Sequence, residues 1–156
     1  MFALHPDLQK DTYTVGQFKL SLILLHKDAN FPWLILVPKR EKVREIHHLS
    51  EDEQIQLIKE SSHLSEVMTS IYAPTTMNIA ALGNVVPQLH VHHIARFKND
   101  PVWPKPVWGA IDALEYSEEK LAERFERLHS SLVGEGFQAW SGAEEDKGSN
   151  QGFFTP

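Results

Sequence analysis

The densest chemistry in this chain lies between residues 88 and 96, which read Gln88-Leu89-His90-Val91-His92-His93-Ile94-Ala95-Arg96. In an extended strand, alternate side chains share a face. Gln88, His90, His92 and Arg96 then face one way, and Leu89, Val91, His93 and Ala95 face the other, toward a core. An imidazole is substantially neutral near pH 7 and can attack an electrophile without a strong base. Two imidazoles, an amide and a guanidinium on one face suit the binding and attack of an anionic phosphorus centre. The same pattern also fits partly exposed histidines on a solvated strand. It fits a metal pair as well, since His90 and His92 at i and i+2 could ligate zinc or iron. That reading needs a third ligand. No nearby carboxylate or histidine supplies it, His93 faces away, and His26 qualifies only if its strand pairs nearby.

The elements that must position these residues are partly readable. Lys19 to Lys27 and Trp33 to Val37 are short apolar runs separated by a turn at residues 28–32, the pattern of a hairpin. Ser50 with Glu53 forms a capping box, followed by Leu57, Leu64, Met68 and Ile71, flanked by Ile58 and Val67, at helical spacing. This predicts a helix to about Tyr72, closed by Pro74. Thr76 to Leu82 and Val85 to Phe97 read as two more strands joined at Gly83-Asn84, with Pro87 placing the start of the second at an edge or bend. Residues 99–109 hold three prolines and two tryptophans and read as an extended, packed segment. After Ser117, Leu121, Phe125, Leu128 and Leu132 make a second apolar helix stripe, stopped by Gly134. The first 17 residues read as mixed and turn-like. Residues 134–156 read as a mostly irregular tail, in which Phe137, Trp140, Phe153 and Phe154 could dock.

Composition narrows the classes. The chain has 156 residues, of which 42% are hydrophobic and 23% charged, as in an ordinary globular domain with a core. The net charge of −6, from 15 basic and 21 acidic residues, lacks the basic field of a DNA binder, so no nucleic-acid partner is expected. No apolar run approaches the ~18 residues of a membrane span. The absence of cysteine excludes disulfides, cysteine-ligated metals and a cysteine nucleophile. Residues 1–7 show neither the basic start nor the apolar stretch of a signal peptide, and a cytoplasmic location is expected.

Three ordered blocks resemble the histidine triad (HIT) family. Its motif, His-φ-His-φ-His-φ-φ, stands here as Gln88-Leu89-His90-Val91-His92-His93-Ile94, after Gly83-Asn84 and before Ala95-Arg96. Phe31-Pro32-Trp33-Leu34-Ile35-Leu36-Val37-Pro38-Lys39 is similar to the family's apolar strand ending in Pro-Lys, and Leu49-Ser50-Glu51-Asp52-Glu53 to the opening of its long helix. The resemblance covers about residues 18 to 109 and looks closest to bacterial members of the diadenosine-tetraphosphate-hydrolase-like type. It implies an α+β fold with an antiparallel sheet of about five strands, a long helix packed on it and a C-terminal helix. Residues 1–110 would be the nucleotide-binding catalytic domain, 111–133 a helical extension and 134–156 the tail. It also implies a homodimer.

By the same resemblance the function is nucleotide hydrolysis, on a dinucleoside polyphosphate or nucleoside phosphoramidate, through a covalent nucleotidyl-histidine. His90 is then the nucleophile, its second ring nitrogen held by the backbone carbonyl of Gln88. His92 contacts the phosphate or bridging oxygen. Gln88 and Asn84 are candidate phosphate-site residues, and Asp28, beside His26, is either a ribose ligand or a turn residue satisfying backbone amides. From its place on the neighbouring strand, Asn78 either faces the site or satisfies its own turn. No cofactor or protein-bound metal is implied, although a polyphosphate substrate can carry magnesium. Arg96 is either a phosphate ligand or half of a structural ion pair. Trp103 and Trp108 resemble a C-terminal segment that in some members reaches the partner's site, although hydrophobic packing at the end of the domain explains them somewhat better. His47, His48, His63 and His129 read as surface positions.

Three departures bear on turnover. Gln88 replaces the first motif histidine and cannot titrate. Trp33 stands where many members have a supporting histidine. Val85 stands where some members carry a serine that protonates the leaving group. These motivate a rival reading, a nucleotide-binding module with little turnover, and a third, a metal-dependent hydrolase using His90 and His92.

Overall fold

The computed structural model describes residues 1–142. The order of elements is α1 (Pro6–Asp11), β1 (Thr12–Gln17), β2 (Ser21–His26), β3 (Trp33–Pro38), a 3-10 turn (Ile46–His48), α2 (Glu51–Tyr72), β4 (Thr76–Ala81), β5 (Val91–Arg96), α3 (Glu118–Ser131) and β6 (Gln138–Ala139). The strands form one antiparallel sheet in the order β4-β5-β3-β2-β1-β6. The fold is therefore α+β, with six strands where the sequence implied about five.

Two strands that the sequence pattern did not show come from the ends. Thr12–Gln17 pairs with β2, and Gln138–Ala139 pairs with β1 at Gly16 and Gln17. Gly16 is required there. A Cβ at this position would lie 2.4 Å from the carbonyl oxygen of Gln138 and 2.8 Å from the ring of Phe137. The turn-like reading of residues 1–17 and the irregular reading of 138–139 are corrected accordingly. Phe153 and Phe154 lie outside the described residues.

The sheet is covered on both faces, and strand alternation sorts the side chains between them. Ile23, Leu25, Leu34, Leu36, Val91 and Ala95 enter the larger core with Leu57, Leu64, Val67 and Met68 of α2 and Leu121, Phe125 and Leu128 of α3. The alternate positions, Leu24, Trp33, Ile35, Val37 and Ile94, join Leu4, Leu8, Phe31 and Val107 on the opposite face. A fully buried Leu or Met contributes roughly 1.5–3 kcal/mol, so the α2 stripe alone fixes that helix firmly to the sheet. Ile58, one residue off the stripe, is 62% exposed.

The helix ends follow their chemistry. The Ser50 hydroxyl accepts from Glu53 N–H, and the Glu53 carboxylate accepts from Ser50 N–H. Such a cap is worth about 1 kcal/mol. Ala73 closes α2 in the left-handed region just before Pro74. Ser117 caps α3 through Lys120 N–H. The strand predicted from Val85 begins instead at Val91. Residues 82–85 are exposed and Pro87 has no N–H to donate, so this stretch forms a loop that passes over the site face.

Candidate active site

β5 delivers its side chains alternately, as the pleat requires. His93 faces α2, fully buried, with Nδ1–H donating to the Val91 carbonyl (3.0 Å) and Nε2 accepting from the Ser61 hydroxyl (2.7 Å). Burial holds its pKa down at about 4. It is a structural histidine.

His90 and His92 face the other side and line a cavity of about 410 Å³. Their rings meet edge to face, 5.0 Å between centroids. Each has one ring nitrogen committed, and the commitments are opposite. His90 Nδ1–H donates to the Gln88 carbonyl at 2.7 Å, so its Nε2 carries the lone pair. His92 Nδ1 accepts from the indole Nε1–H of Trp33 at 2.9 Å, so in the neutral ring the proton sits on Nε2. Burial first, then the neighbouring His90, His26 and His93, lower the His92 pKa to about 3. His92 is thus a neutral imidazole presenting an N–H donor, beside an imidazole presenting a nucleophilic nitrogen.

Around this pair stands an aromatic frame. His26 stacks on Trp33 at 3.9 Å, nearly parallel. Its Nδ1 accepts from Asp28 N–H at 3.1 Å, and burial lowers its pKa. Trp108 meets both Trp33 (5.9 Å) and His92 (5.1 Å) edge to face. Trp108 therefore lines this chain's own cavity, together with His26 and Asn84.

Of the residues singled out from sequence, His90, His92 and Asn84 converge on the cavity. Three others do not line it. The Gln88 amide turns to the N-terminal segment, donating to the Ala3 carbonyl and accepting from His5 N–H, both at 2.9 Å. Asp28 is buried and accepts from Asn30 N–H (2.9 Å) and Leu114 N–H (3.1 Å), tying two loops together. Asn78 accepts from Arg96 at 2.9 Å. Arg96 is 1% exposed, paired to Asp100 at 2.8 and 3.2 Å and set over the rings of Phe31 and Trp103. It is structural. Asp100 is held below the usual carboxylate range by this pairing and by two backbone N–H donors, against the opposing effect of burial.

His47 and His48 are exposed as expected. His63 and His129 are half-buried, bonded to the carbonyls of Val133 and Val15. Sequence reasoning missed the cavity wall formed by Asp7, Leu8, Asp11 and Thr12. No pattern in residues 1–12 signals it, because α1 has six residues and one buried side chain.

Among the described residues, no group of three His, Asp or Glu side chains is placed to hold a metal ion, and no helix is long and apolar enough to cross a membrane.

The comparison with sequence families decides the relationship. Residues 7–99 match the HIT domain family. The chain belongs to the HIT family. HIT proteins bind nucleotides, and the family includes hydrolases and transferases. Among solved structures, a histidine triad protein from Bradyrhizobium japonicum is 43% identical with a TM-score of 0.83, covering 85% of this chain and 98% of that one. A second, from Marinobacter aquaeolei, is 46% identical at a TM-score of 0.82, covering 85% and 96%. A hypothetical histidine triad nucleotide-binding protein from Sulfolobus tokodaii shares the fold at 18% identity and a TM-score of 0.59, covering 77% and 83%. No curated protein matches the chain significantly.

Proposed function

We propose that this HIT protein is a nucleotide hydrolase that works through a nucleotidyl-His90 intermediate. The observation that carries this reading is the opposite protonation of the two cavity histidines, His90 fixed by the Gln88 carbonyl and His92 by Trp33. His90 Nε2 attacks the α-phosphorus, and the N–P bond forms as the bond to the leaving group breaks. The leaving group departs with the electron pair and takes its proton from solvent. Water then attacks the phosphorus, the N–P bond breaks, and a nucleoside monophosphate leaves with His90 neutral again. His92 Nε2–H and the Asn84 amide donate to the phosphate oxygens where charge develops, the main electrostatic contribution to such a step. The substrate class is a dinucleoside polyphosphate or nucleoside phosphoramidate, as in the diadenosine-tetraphosphate-hydrolase-like branch. No cofactor takes part.

The alternative use of His90 and His92 as metal ligands is disfavoured by the same bonds. The lone pair of neutral His92 lies on Nδ1 and is already taken by Trp33. A binding module with little turnover keeps one supporting observation: Val85, where some relatives carry a proton-donating serine, is 81% exposed and apolar at the cavity mouth.

The test is turnover of diadenosine tetraphosphate and of an adenosine phosphoramidate by wild type and His90→Ala, with and without chelator. Product formed by the wild type alone and insensitive to chelator supports the hydrolase. Binding without product supports the module, and loss with chelator supports a metal enzyme.

The family resemblance also implies a homodimer. β4 is an outer strand of the sheet and exposes Ile79, at 51%, an edge that a second copy can extend. Light scattering on the eluting protein tests this.

A further inference from the structure

Gln88 holds the first position of the histidine motif, yet its amide points away from the cavity. Its Nε2–H donates to the Ala3 carbonyl, and its Oε1 accepts from His5 N–H. An amide offers its donor and acceptor side by side and so matches one stretch of backbone, whereas the donor and acceptor of an imidazole point apart. The stretch it grips is not idle. Leu4 and Leu8 are buried in the site-face core, and Asp7, Leu8, Asp11 and Thr12 form part of the cavity wall. The backbone of the same Gln88 accepts the His90 Nδ1–H. One residue thus holds the nucleophile through its carbonyl and the facing wall through its side chain.

We propose that Gln88 is a positioning residue that docks residues 3–11 as a wall of the nucleotide cavity, in register with His90, and not a phosphate ligand. This rests on the nucleotide reading of the cavity. Without the amide the N-terminal segment loosens and ligand affinity falls. The orientation of His90 persists, because it depends on a carbonyl that any residue supplies.

The experiment uses the full chain as wild type, Gln88→Ala and Gln88→Glu. It measures amide hydrogen exchange, binding of adenosine monophosphate, and the rate of adduct formation at saturating phosphoramidate. In Gln88→Ala, residues 1–11 should exchange at least about tenfold faster, while β5 and α2 keep their protection. The Kd for the monophosphate should rise about tenfold, as for two lost hydrogen bonds, and the saturated adduct rate should stay within about twofold. Gln88→Glu keeps the acceptor for His5 and loses the donor to Ala3, so it should lie between. Unchanged exchange at residues 1–11 would overturn the proposal. So would an unchanged Kd with a slowed saturated rate, the signature of a phosphate ligand. If the wild type neither binds the monophosphate nor forms an adduct, the nucleotide reading fails, and the exchange data still decide whether Gln88 holds the wall.

Discussion

The indole Nε1–H of Trp33 lies 2.9 Å from Nδ1 of His92, and this one bond sets which His92 nitrogen carries the proton. An indole N–H only donates, so it enforces one tautomer, which a histidine in its place would not. Trp33→Phe removes the donor and leaves a buried imidazole nitrogen unpaired. The single-turnover rate should fall about tenfold, and stability by about 1–3 kcal/mol. Trp33→His should restore part of the rate. Rapid-quench kinetics and thermal melts report both.

The buried histidines make the fold acid-sensitive. His92 and His93 have folded pKa values of about 3 and about 4, below their ordinary 6.5. Between those values and 6.5 the unfolded chain binds more protons than the folded one, so stability rises with pH across that window and is lost as pH falls through it. From pH 7 to pH 4 the loss at His93 alone is on the order of 3 kcal/mol. Melting temperatures from pH 7.5 to pH 4 should fall steadily, and His93→Gln should flatten the fall. A Tm independent of pH over that range would contradict the burial assigned to these rings.

The Arg96 cluster predicts a separation of stability from catalysis. Asp100→Ala strands a buried guanidinium and should cost about 3–5 kcal/mol. Asn78→Ala removes one bond to it and should cost about 1–3 kcal/mol. At a temperature where the variants remain folded, each should retain the wild-type KM. Denaturant melts alongside steady-state kinetics separate the two effects, and a raised KM in Asn78→Ala would return that residue to the substrate site.

Local signals were legible where the physics is local. The Ser50–Glu53 capping box, the α2 and α3 stripes and the alternation on β5 could all be read without a structure. The opposed faces of His90 and His93 followed from pleat geometry, and the carbonyl on His90 from the family resemblance. What escaped depends on distant partners. Gln88 meets Ala3 and His5 more than eighty residues away, and Asp28 caps Leu114. β6 is two residues long and exists only because Gly16 lets another backbone approach. α1 carries too few buried side chains to show a period, and its N-cap is His5, an uncommon choice for that position. The strand predicted from Val85 began late because Pro87 and its exposed neighbours favour a loop.

The central claim is that His90 becomes covalently nucleotidylated. The direct measurement is intact-protein mass after brief incubation with an adenosine phosphoramidate and with diadenosine tetraphosphate in the presence of chelator, followed by peptide mapping. The account predicts an adenylyl adduct on the peptide containing His90, present in wild type and absent in His90→Ala. Product formed without any adduct, or an adduct that persists in His90→Ala, would contradict it.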